Sequence, residues 1–319
     1  MNRVLWVLAI LAPAAVLAAG TVPMLAVPGV FLAVVATIAW AVLRGVRAWA
    51  FAIVPGAAIV ATRMPAEMGA YAAALLAGPC VAWALSRGRS PRTALAIGAA
   101  PFAMWTIVVA ASGVNPIEAG SPAAFDRIIE EAGEAGRLSA QQVGDWQASS
   151  RAARQVLVRT WVATEVVSFW ITLVLAYALV ARMFPGLRGF GRLSALRVPD
   201  AVAWALIAGL VLVLLGRTTG PDLAQTMGWN LVFGAGFAFF LCGLGIERAW
   251  MERAGFRKFA QAAVFVGGVL FFFPLFLVTT SGLGLFDTWF DFRRLRAGEP
   301  GQRPFSPFPR SSNDDRSER

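Results

Sequence analysis

Few residues in this sequence are equipped for chemistry, and those that stand out are charged or polar groups set in apolar stretches. Glu165, in RTWVATEVVSFW, follows Arg159 by about a turn and a half of helix. Ionisable groups within a membrane segment are costly, so they mark ion pairs, proton sites or substrate sites. Asn230 and Trp229 open another apolar run and offer a polar handle and a stacking face. Glu165, Arg159, Asn230 and Trp229 are the candidate substrate or ion site. An ion pair, a shallow interfacial position for Glu165 and an anchoring role for Trp229 account for the same residues without a ligand.

Most familiar catalytic chemistry is missing. The chain has no histidine, which removes the commonest general base, metal ligand and physiological-pH switch. Cys80 and Cys242 stand alone in apolar runs, so neither a redox pair nor a zinc site can be assembled from neighbours. No two spans each contribute a central aspartate for an intramembrane aspartyl mechanism. No Walker A loop occurs. No enzymatic activity, cofactor or metal is expected.

The elements that must position these residues are membrane helices. Of 319 residues 58% are hydrophobic and 14% charged, with a mean hydropathy of +0.66. A bilayer is the expected solvent. The net charge of +10 comes from arginines in short links between apolar runs, where they set orientation, so nucleic acid is not an expected partner. Candidate spans fall near 4–20, 25–43, 48–62, 68–86, 93–112, 158–183, 201–216, 227–246 and 260–281. The expected fold is all-α, a polytopic bundle of eight to ten spans with nine candidates, in a single transmembrane domain over 1–296. The opening MNRVLWVLAILAPAAVLAAG is similar to a secretory signal but reads as a retained first helix.

Loops after spans two, four, six and eight hold 13 basic residues, between Arg44 and Arg47, Arg87 and Arg92, Arg182 and Arg197, and Arg248 and Lys258. The alternate loops hold Arg63, Arg217 and the arginines from Arg127 to Arg159, among six acids. The first set and Arg3 are therefore cytoplasmic. Nine straight crossings would put the arginine-rich C-terminus outside, against the same rule. A bend near Pro274 that returns the chain is one resolution, and a cytoplasmic C-terminus is expected.

Residues 113–157 read as a loop of two short amphipathic helices, with Ser121 and Ser139 as caps. Residues 283–296 read as an interfacial helix with Asp287, Asp291 and Arg294 along one stripe, and 297–319 as a disordered tail. Prolines inside most spans, such as Pro79, Pro101 and Pro274, free backbone groups that transporters use to hold substrates, although proline is also common in ordinary membrane helices. Gly69, Ala73 and Ala77 recur every four residues and form a smooth face for helix packing or for docking a partner.

The closing segment, Gly284-Leu285-Phe286-Asp287 followed by Asp291-Phe292-Arg293, resembles the ending of the YybS-like family, multi-pass bacterial membrane proteins with a domain of unknown function. Gly284, Asp287, Asp291 and Arg293 carry that motif. An early Pro23-Met24 and Val27-Pro28 pair and the Arg197-Val198-Pro199 step fit the same layout. Glu165 departs from it, standing where an uncharged residue is expected. The family is similar to the S components of energy-coupling-factor transporters. The resemblance implies a helical bundle that binds a small solute near its outer face and docks on a membrane coupling subunit. It also implies the bacterial cytoplasmic (inner) membrane, with the N-terminus inside. The alternative is a non-transporting membrane scaffold or envelope assembly factor that presents its arginine loops and tail to protein or anionic lipid.

Overall fold

A computed structural model describes residues 26–44, 67–113, 115, 123–184, 186–187, 189, 191, 193–218 and 222–292. The expected spans 4–20 and 48–62, the tail and Arg293 lie outside these residues. Eight α-helices and no strand occur among the described residues. They are α1 (Ala26–Arg44), α2 (Glu67–Ser86), α3 (Pro91–Ala111), α4 (Ala123–Glu134), α5 (Ala140–Met183), α6 (Asp200–Thr218), α7 (Asp222–Arg253) and α8 (Lys258–Phe290). Helix is the state that lets an apolar segment satisfy its own backbone in lipid. Hydroxyls inside the segments do the same: Thr106 donates to Phe102 O (2.9 Å), Thr172 to Ser168 O (2.9 Å) and Thr279 to Leu275 O (2.8 Å).

Five helices, α3, α5, α6, α7 and α8, are long and apolar enough to cross a membrane. Two further apolar stretches, Val30–Val42 and Leu75–Ser86, lie in α1 and α2. The chain divides into two compact units, Met1–Gly191 with Ala205–Gly234, and Arg192–Trp204 with Ala235–Arg319.

The core of the first unit is built from α1, α2, α3 and the membrane half of α5. Ile38, Ala77, Leu95, Leu173 and Tyr177 are fully buried in it. Small residues set the spacing: a Cβ on Gly78 would stand 2.6 Å from Thr37 Cβ, so α1 and α2 approach backbone to backbone. Ala73 and Ala77 are buried, and Gly69 lies earlier on the same helix. Phe102 of α3 stacks on Phe169 of α5, with ring centroids 4.2 Å apart. Ser90 caps α3 by accepting from Thr93 N, with Pro91 in the first turn, where its missing N–H costs nothing.

Helix α5 departs from the sequence expectation. Ser139 caps it through a reciprocal pair, Gln142 N to Ser139 Oγ (3.3 Å) and Ser139 N to Gln142 Oε1 (2.8 Å). The helix then continues for 44 residues, so the second amphipathic helix and the sixth span are one element. Its length of about 66 Å is twice what the hydrocarbon core needs. Nothing between Val156 and Arg159 breaks a helix, and the change from polar to apolar composition happens without a change in backbone.

In the second unit α7 and α8 cross at glycines. A Cβ on Gly243 would collide with Thr280 O, and one on Gly284 with Phe239 O, so only glycine permits this approach. Helix α8 holds one non-helical residue, Phe272 (φ −132°, ψ 28°), two positions before Pro274, which lacks the N–H that would bond Leu270 O. Straight, its 33 residues would span about 50 Å. Yet the ring of Phe292, just past its end, lies 6.3 Å from that of Trp250 in the last turn of α7, which precedes Lys258 by only eight residues. Eight residues reach at most about 28 Å, so α8 must fold back at Phe272 to make this contact. The ring of Phe276 accordingly lies 2.8 Å from where a Cβ on Gly268 would stand, across the bend. Residues 283–290 are the end of this bent helix, where the sequence suggested a separate interfacial one. Asp291 stops it in the left-handed conformation (φ 45°, ψ 55°), its N–H bonded to Asp287 O.

Candidate functional site

Within the first unit, Asn230 of α7 hydrogen-bonds to the backbone of α5. Its Oδ1 accepts from Ala163 N (2.8 Å) and its Nδ2 donates to Arg159 O (2.7 Å), two backbone groups four residues apart, the spacing of helix partners. The same Nδ2 donates to Thr226 O on its own helix (2.8 Å). Both donors of the carboxamide are thus committed to backbone carbonyls. Asn230 binds two helices together and has no N–H left for a ligand. A second amide acts similarly, as Asn115 Nδ2 donates to Val158 O (3.1 Å), one residue before Arg159.

Above this junction lies a cavity of about 830 Å³. Arg151, Arg154, Gln155, Val158 and Arg159 line it from α5, facing Thr226 of α7 and Asn115. The spacing explains the shared face, since positions three, four and eight apart on a helix stack above one another. No carboxylate lies within ion-pair distance of Arg151, Arg154 or Arg159 among the described residues. Arg151 Nε instead donates to Gln147 O (3.3 Å). The cavity is open, positive and partly polar.

Of the four residues singled out in the sequence, the structure brings Arg159 and Asn230 together. Glu165 is six residues beyond Arg159, about 9 Å along the axis and on another face; it is exposed and does not line the cavity. Trp229 adjoins Asn230 but points elsewhere, with its Nε1 buried and without a hydrogen-bond partner. Thr164 Oγ1, next to Ala163, is in the same condition. The sequence reading missed Arg151, Arg154, Gln155, Asn115 and Thr226. Their signal was the helical spacing of the three arginines, legible only when 140–183 is taken as one helix.

The second unit buries a separate polar group. Thr280 donates to Glu247 Oε1 (2.7 Å), and Cys242 Sγ donates weakly to Asp287 Oδ2 (3.8 Å) and Leu196 O (3.7 Å). Asp287 is 7% exposed, and Gly284 is the crossing residue. The closing motif therefore places its glycine and first aspartate in a helix contact and its second aspartate at a helix stop. Among the described residues, no group of three or more His, Cys, Asp or Glu is placed to hold a metal.

Long apolar helices that satisfy their own backbones, packed through small residues, define a multi-pass helical membrane protein. The chain belongs to the family described as predicted membrane protein (DUF2232), whose model matches residues 10–288. No curated protein and no solved structure matches it.

Proposed function

We propose that this protein is transport-related and binds a small solute between its helices, in the manner of an S component, without catalysing a reaction. The cavity lined by α5, α7 and Asn115 supports this reading, because its volume lies in the range of small-molecule sites and polar groups converge on it from separate parts of the chain. The absence of histidine from the sequence supports the non-enzymatic part. The proposal includes a bundle of eight to ten spans in the bacterial inner membrane, with the N-terminus inside and a coupling subunit as partner. Native mass spectrometry and thermal shift of the purified chain against a metabolite library test it. A specific solute that raises the unfolding temperature is expected, and a folded protein that retains nothing across a broad library overturns it. The scaffold alternative predicts instead a stable protein partner, crosslinked through the C-terminal tail and lost when the tail is cut.

A further inference from the structure

We infer that the cavity between α5 and α7 takes a phosphate-bearing organic molecule, gripped by the guanidinium groups of Arg151, Arg154 and Arg159. The inference rests on the solute-binding reading and narrows it to one chemical class. Three cations on adjacent turns of one helix repel one another, and among the described residues no carboxylate offsets them. An anion in the cavity removes that repulsion. A single carboxylate offsets one charge, whereas a phosphate monoester carries close to two near neutral pH and presents three strong acceptor oxygens. The planar fork of arginine matches phosphate with two parallel hydrogen bonds, which the rounder ammonium of lysine cannot do.

The rest of the lining argues for an organic part. About 830 Å³ is far more than a lone inorganic ion needs. Gln155 and Thr226 offer an amide and a hydroxyl, and Val158 an apolar contact, beside the charged end. Asn115 and Asn230 hold the wall in register through Val158 O and Arg159 O. The position is where the polar half of α5 meets its apolar half, within reach both of solutes in water and of lipid headgroups. A soluble phosphate monoester and the monoester headgroup of phosphatidic acid share the chemistry this site recognises.

The test uses the full chain in nanodiscs of phosphatidylcholine, with and without phosphatidic acid. Glycerol 3-phosphate is the soluble probe and glycerol its uncharged counterpart. Glycerol 3-phosphate is expected to bind and raise the unfolding temperature where glycerol does not. The Arg154→Gln, Arg159→Gln double variant should weaken that binding by roughly tenfold or more, through loss of two charged hydrogen-bonding partners. Arg137→Gln, outside the cavity, should leave it unchanged. Selective retention of phosphatidic acid, lost in the double variant while glycerol 3-phosphate stays idle, identifies the lipid as the source and upholds the inference. Should the double variant fail to fold, Arg151→Glu at an exposed position is expected to abolish binding by charge reversal. Binding of neither phosphate by the folded wild type, or binding indifferent to these substitutions, overturns the inference. A library solute without a phosphate group seated in the cavity overturns it while sparing the solute-binding reading; retention of no solute at all removes both.

Discussion

Asn230 carries more of the local structure than its single side chain suggests. It adds two hydrogen bonds from another helix to one turn of α5. Because Arg159 O and Ala163 N are four residues apart in a helix, they satisfy each other when the amide is gone. Asn230→Ala is therefore expected to cost only about 1 kcal/mol. Asn230→Asp should cost more, since a carboxylate cannot donate and would face the carbonyls of Arg159 and Thr226. Thermal unfolding of the detergent-solubilised chain checks the order wild type, Ala, Asp; three equal midpoints would sink the clamp. That Asn230 mattered was legible from its setting in an apolar run. Its role was not, because its partners on α5 stand 67 and 71 residues away in the chain. Glu165 shows the converse: a conspicuous residue in sequence whose helical phase carries it away from the cavity.

At the scale of elements, α5 and α8 differ most from the sequence reading, and for related reasons. The start of α5 was marked by Ser139, whose capping chemistry is local. Its continuity was hidden because a helix that leaves the membrane changes composition as a linker does. In α8 the interruption was visible at Pro274, but the direction of the chain after it was not. Proline removes a backbone bond without dictating the angle that follows; the glycine crossing on α7 and the contact of Trp250 with Phe292 set it here. Spin labels at Ala254 and Phe290, in a chain whose native cysteines are replaced, should report a separation far below the roughly 50 Å of a straight 33-residue helix. A distance near that value would overturn the folded-back α8.

For the molecule as a whole, the bend bears on the expected orientation of the chain. The four more basic links include the one between α7 and α8, and the chain beyond α8 is again rich in arginine. With α8 returning beside the end of α7, Phe292 lies against Trp250, the arrangement that a cytoplasmic C-terminus would need if the links rich in arginine are cytoplasmic. A reporter fused after Leu295 is expected to read as cytoplasmic, and an external signal would falsify that orientation. The sequence by itself determined the solvent, the helical class and most helix positions among the described residues. Each of these follows from composition and short-range periodicity, which act over a few turns of chain. Only the tertiary structure decided which polar groups meet, that the arginines of α5 face α7 across a cavity, and that the last helix doubles back. These depend on contacts between residues far apart in sequence, where small side chains permit close approach and a single amide can bridge two backbones.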